Sequence, residues 1–238
     1  MKPVRIHSWN VSPAEASAIQ MNLRDKITIQ PLPDKICIVA GTNVSHDPNT
    51  NTIHAALIIL RFPDMKLLER HGLSEEITFP YVRGLLAFRE APPIMQLMKR
   101  VQHRPDVVLF HSHGLAHPRG FGLASHLGVL FDIPSIGISD RILVGFHNDL
   151  GPKKGHRSPL IHNDKEVGIA LRTKDGASPI IISVGHKANL ITTMEFTLKC
   201  ITHYRRPEPI RQAHLAVAAQ RCGENIDINI GGDQATLF

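Results

Sequence analysis

The chain has 238 residues, 42% of them hydrophobic and 20% charged, which suits one α/β unit over residues 1–238 with enough apolar material for a core. Lys plus Arg number 27 against 21 Asp plus Glu, a net charge of +6; this favours a polyanionic partner, the other reading being solubility alone. Cys37, Cys200 and Cys222 form no CxxC pair, no apolar run is long enough to span a bilayer, and MKPVRIHSWN lacks the apolar stretch of a secretory signal. A disulfide scaffold, a zinc knuckle and a membrane protein are excluded, and the expected home is the cytoplasm.

Ser12-Pro13-Ala14-Glu15 reads as a helix start, with Ser12 capping, Pro13 in the first turn and Glu15 closing a capping box. Ile19, Leu23 and Ile27 then give a helix with one apolar stripe. Ile36 to Gly41 is a buried strand, Asp47-Pro48-Asn49 a turn, and Ile53 to Phe62 the next strand. Pro63-Asp64 turns again before a strand over Lys66 to His71, and spacings this short predict antiparallel hairpins.

Ile94, Leu97, Met98 and Val101 predict a helix, followed by the strand Val107 to Phe110, a helix over Phe121 to Phe131 and a strand over Ser135 to Ile138. That is a βαβ crossover with parallel strands. Antiparallel hairpins leading into βαβ units are the layout of a ribonuclease H-like mixed sheet. Residues 146–165 read as an exposed basic loop, Val167 to Leu171 and Ile180 to Val184 as a late hairpin, and Leu190 to Ile201 as a helix continuing to near Tyr204. From Cys222 to Phe238 there is little periodicity, and a loosely ordered tail is expected.

Several strings recur in one order. They are Ile38-Val39-Ala40-Gly41 with Asn43-Val44-Ser45, Thr78-Phe79-Pro80-Tyr81 with Gly84-Leu85-Leu86, and Phe88-Arg89-Glu90-Ala91-Pro92. Gly114 to Arg119, Gly122 to Gly128, Gly185-His186-Lys187 and Arg206 to Arg211 follow. Together, from about Ala14 to His214, they resemble the endonuclease V family. The resemblance implies recognition of inosine in DNA or RNA and hydrolysis of a nearby phosphodiester on its 3′ side. It also implies a divalent metal, Mg²⁺ or Mn²⁺, held by carboxylates at strand ends.

The departures from the family fall on that site. Asn43 and His111 stand where the family has aspartates, and Asp140 where it has lysine, while Glu90 and His117 are kept. With Glu90 and Asp140 charged, the site's two net negative charges equal those of the family set. Aligning Arg141 there instead would break that match and favour simple decay.

Two readings follow. In one, Glu90, His111, Asp140 and His117 hold Zn, Mn, Ni or Fe in a remodelled nuclease. In the other, the fold binds nucleic acid and cleaves poorly or not at all with Mg²⁺. His113 either shares one strand face with His111 as a further ligand or, the favoured reading, is an exposed loop residue where the family has glutamine.

For recognition, Pro80-Tyr81-Val82-Arg83 resembles the family's strand-separating wedge, with Tyr81 replacing lost stacking and Arg83 gaining a phosphate contact. Gly84 and Leu85 belong to the expected base pocket, with Ser112 beside it in place of a glycine. His186 and Lys187 suit phosphate binding at a helix start. Arg205, Arg206 and Arg211 either track the backbone or form a solvated face, and His126 is a core residue. The expected partner is single-stranded or locally opened DNA or RNA, and the charge is compatible with a monomer.

Overall fold

The computed structural model describes residues 1–4 and 6–230. Helix α1 (Pro13–Arg24) starts as expected: Ser12 Oγ accepts from the Glu15 amide at 3.3 Å, and Glu15 Oε2 accepts from the Ser12 amide at 2.8 Å. It stops one turn before Ile27. Strands β1 (Ile38–Asp47), β2 (Thr52–Arg61) and β3 (Leu67–Glu76) pair antiparallel in sequence order, each longer than its apolar run. Asp47 Oδ1 accepts from the Asn49 amide at 2.9 Å and closes the first turn.

Helix α2 (Leu86–Arg100) begins eight residues before Ile94 and runs through Pro92 and Pro93. Proline in a helix interior costs about 3 kcal/mol, but Ala87, Ala91, Ile94, Leu97 and Met98 bury one continuous stripe against the sheet. Glu90 therefore sits on a helix, on its buried side.

The crossover is as expected: β4 (Val107–Phe110), α3 (Leu123–Phe131) and β5 (Ser135–Ser139), with β4 parallel to both β1 and β5. Inside the segment expected to be loop, β6 (Arg157–His162) pairs antiparallel with β7 (Lys165–Leu171). Leu160 is fully buried there, so one inward leucine was enough to fix a strand among basic residues. Strand β8 (Ile180–His186) joins β7 to β5.

Helix α4 (Leu190–Lys199) ends before Tyr204, and α5 (Glu208–Arg221) follows where the sequence analysis placed no helix. The expected loose tail is described only as far as residue 230. Ile226 is buried, and β9 (Ile228–Asn229) pairs with β3; residues 231–238 lie outside the described residues.

The sheet order is β6-β7-β8-β5-β4-β1-β2-β3-β9. Period-two alternation splits each central strand between two cores. Val39, Ala56, Ile58 and Leu109 face Ile210, Ala213 and Val217 of α5. Ala40, Ala55, Leu57 and Val108 face α2 and α3. Among the described residues no helix is long and apolar enough to cross a membrane.

Candidate nucleic-acid interface

Parallel pairing brings the C-terminal ends of β4 and β5 level with the middle of β1, and His111 donates its amide to Thr42 O at 3.1 Å. Asn43, His111 and Asp140 therefore meet. His111 Nδ1 lies 2.8 Å from Asn43 Oδ1, and Nε2 donates to Asp140 Oδ2 at 3.2 Å. Asn43 Nδ2 lies 3.2 Å from Nδ1 of His214, which α5 lays over β1.

Both oxygens of Asp140 are also taken by the connector before α5. Arg205 Nη1 donates to Oδ1 at 2.7 Å, and Arg206 donates Nη2 and Nε to Oδ2 at 2.7 and 3.2 Å. The His111 hydrogen bond, with Arg206 and Arg205, outweighs burial and holds the Asp140 carboxyl well below the usual range. Asp140, rather than Arg141, is the residue whose carboxylate meets His111. Two guanidiniums face that one carboxylate.

Glu90 and His117 bond elsewhere, although His117 lines the same cleft as His111 and Asp140. Glu90 Oε1 faces His46 Nε2 at 3.6 Å. Burial pushes the Glu90 carboxyl up to about 8 against Arg89, while burial and then Arg89 push His46 down to about 4, so burial favours the neutral form of each.

His117 donates Nε2–H to Gly84 O at 2.9 Å and accepts the Arg119 amide on Nδ1 at 3.2 Å. Both ring nitrogens are spent on the loop, and burial followed by Arg119 keeps the ring neutral with a pKa near about 4. Among the described residues no three His, Cys, Asp or Glu side chains converge to hold a metal ion. Glu90, His111, Asp140 and His117, the expected ligand set, do not converge as one such group among the described residues.

The recognition elements surround an open cleft of about 410 Å³. One wall is Tyr81, Val82, Arg83 and Gly84; Ser112 and His113 lie beneath; Ser139 to Leu143 form the other wall. Tyr81 stands 73% exposed at the rim. Gly84 has φ +80, and its carbonyl accepts from both His117 and Arg119, which pins the turn.

Some expected roles change. Leu85 is buried with Phe79 and Phe88, supporting the wall from behind, and exposed Pro80 leads into it. Arg83 Nη2 donates across the cleft to Leu143 O at 3.2 Å. His113 is half-buried, and its Nε2 donates to Arg141 O at 2.9 Å, so it is no exposed loop residue.

His186 and Lys187 lie at the opposite end of the sheet, where His186 pairs with Ser135, the first residue of β5, while Asp140 follows its last. His186 Nε2 donates to Asp132 Oδ1 at 3.2 Å and Lys187 Nζ to Oδ2 at 2.7 Å. Asn189 caps α4, and Asp132 pairs with both of these side chains. Arg211 pairs with Glu208 and lies 4.3 Å from the Tyr204 ring. His126 is buried, as expected. His46 and His214 were missed; the signal for His214 was the Ile210, Ala213, Val217 stripe of α5, which sets its facing.

The endonuclease V family profile matches residues 21–215. The chain belongs to the endonuclease V family. Endonuclease V of Nostoc punctiforme is 39% identical over 221 residues, 92% of this chain and 100% of that protein. The solved endonuclease V of Streptomyces avermitilis superposes with a TM-score of 0.85 at 35% identity, covering 91% of this chain and 96% of that one. Endonuclease V of Ciona intestinalis, solved in complex with a 24mer DNA containing an inosine followed by a ribo-adenosine, gives 0.75 at 28% identity, with 88% and 98% covered. The fold is accordingly the ribonuclease H-like mixed α/β sheet of endonuclease V.

Proposed function

We propose that this endonuclease V-family chain binds inosine-containing nucleic acid, single-stranded or locally opened, and cleaves it weakly or not at all with Mg²⁺. One contrast carries the reading. The cleft with its exposed Tyr81 is open, whereas His111 bridges Asn43 to Asp140, and the Asp140 carboxylate is taken by two arginines. A nuclease of this type needs carboxylates free to orient a metal and its water. A binding module needs only the cleft, a stacking side chain and positive charge. The Ciona intestinalis relative's inosine-containing DNA supports the choice of ligand. Three unpaired cysteines accord with a reducing cytoplasm.

The test is binding and cleavage of one inosine-containing single strand across Mg²⁺, Mn²⁺, Zn²⁺, Ni²⁺ and Co²⁺, repeated with His111→Ala and Glu90→Ala. Inosine-selective binding without cleavage is the expected result. Cleavage with any of the metals, lost in both variants, would instead establish a nuclease with a remodelled metal site.

A further inference from the structure

Arg205 and Arg206 are consecutive, yet both turn onto one carboxylate. Arg205 meets Asp140 Oδ1 end-on, and Arg206 presents two nitrogens to Oδ2. Planar guanidiniums spread over two oxygens of one anion recognise a phosphodiester by the same geometry. Two cations against one anion leave surplus positive charge, and Nη1 of Arg206 has no partner among the described residues.

Arg205 is braced from behind, donating Nε to Ser178 O at 2.7 Å and Nη2 to Pro179 O at 3.0 Å. Its fork is therefore oriented before any ligand arrives, which lowers the entropy lost on binding. The cluster is also wet: the Arg205, Arg206 and Asp140 side chains are 25%, 29% and 25% exposed, and Asp140 lines the base cleft. Next in sequence stands Tyr204, 52% exposed with Arg211 against its ring. It is one of only two tyrosines in the chain, the other being Tyr81 at the cleft rim. A positive groove flanked by exposed aromatic rings is how single strands are tracked without sequence readout.

We infer that Arg205 and Arg206 form a phosphate clamp that holds a nucleic-acid backbone beside the base cleft without a metal ion. Asp140 is the internal anion that keeps the clamp shaped when no strand is bound. The inference rests on the nucleic-acid-binding reading above and gives that site its backbone contact. A strand phosphate adds to the Arg206 side of the cluster and competes with Asp140 for the forks. Removing the Asp140 charge therefore frees the clamp, and removing either arginine weakens it.

The experiment is fluorescence anisotropy of a short labelled single-stranded DNA with excess EDTA, titrated at several salt concentrations. Wild type is compared with Arg205→Ala, Arg206→Ala and Asp140→Asn, and folding is followed by thermal melting. Arg206→Ala is expected to weaken binding about tenfold and to reduce the slope of log K against log salt by about 0.7, the value for one lost single-strand phosphate contact. Asp140→Asn is expected to tighten binding. Should an alanine variant not fold, Arg206→Lys keeps the charge, loses the fork and still weakens binding.

Unchanged affinity and slope in the folded arginine variants would overturn the clamp, as would a wild type that binds no strand in EDTA. The same titration with inosine exchanged for adenosine separates the two proposals. A clamp-dependent slope without inosine preference removes the inosine reading alone; inosine preference with an unchanged slope removes the clamp alone.

Discussion

Gly41 of β1 lies so close beneath Pro209 of α5 that a Cβ on it would sit 2.2 Å from the Pro209 carbonyl oxygen. The contacting atom is backbone, so it cannot rotate away, and a side chain there must push the helix off the sheet. Gly41→Ala is expected to destabilise the fold by about 1–3 kcal/mol in urea unfolding. The same helix carries His214, so its 3.2 Å approach to Asn43 should be lost as well, visible as a shifted imidazole resonance of His214.

Tyr81 touches little of the fold, being 73% exposed. Tyr81→Ala should leave the melting temperature within a degree or so, since surface changes of this kind stay within about 0.5 kcal/mol. Affinity for the inosine strand should fall by about 1–3 kcal/mol, the usual worth of one stacked base. An unchanged dissociation constant would remove Tyr81 from the interface.

His117 acts here as a girder. Its Nε2–H and Arg119 both hold the carbonyl of Gly84, whose positive φ leaves the turn dependent on them. His117→Ala should destabilise by about 1–3 kcal/mol, the cost of under-satisfying a buried polar group. His117→Gln, which can still donate to Gly84, should recover much of that loss and of strand binding. If His117 instead ligated a metal, both variants would weaken metal binding alike, which isothermal titration with Mn²⁺ would reveal.

Glu69 of β3 is a fully buried anion held by three partner residues. It accepts from the amides of Gln102 and His103 and from the rings of His71 and His103. Burial alone would raise its carboxyl; the bonds from His71, His103 and Gln102 outweigh burial and hold it below the ordinary 4.5. A depressed acid contributes stability above its unfolded value and loses it as pH falls through the folded one. Unfolding midpoints should therefore drop as pH falls below 4.5. Glu69→Gln should cost about 3 kcal/mol at pH 7, because uncompensated donors remain, and should flatten the acid limb.

The local grammar of the chain was readable. Ser12 and Glu15 announced the first helix, and the short hairpin spacings announced β1 to β3. Whatever depended on distant partners was not. Leu160 gave no local sign that it would be buried, and Pro92-Pro93 hid the first two turns of α2. The pairing of Asp140 with Arg205 and Arg206 spans more than sixty residues, beyond any periodicity. His186-Lys187 shows the same limit: the motif is local, but its partner Asp132 lies more than fifty residues away.

The Asp140–Arg205–Arg206 cluster also makes the departure from the family hard to retrace. Restoring acidic side chains by Asn43→Asp and His111→Asp would place new carboxylates near Arg205, already anchored at Ser178 and Pro179, and near Arg206. Those arginines would compete with any cation for the new acids, so on the proposed reading neither step alone would build a metal centre. On that reading, a route to such a centre would first have to dismantle the basic connector, at the expense of strand affinity. The site works as a ratchet, with each replacement sheltered by the one beside it.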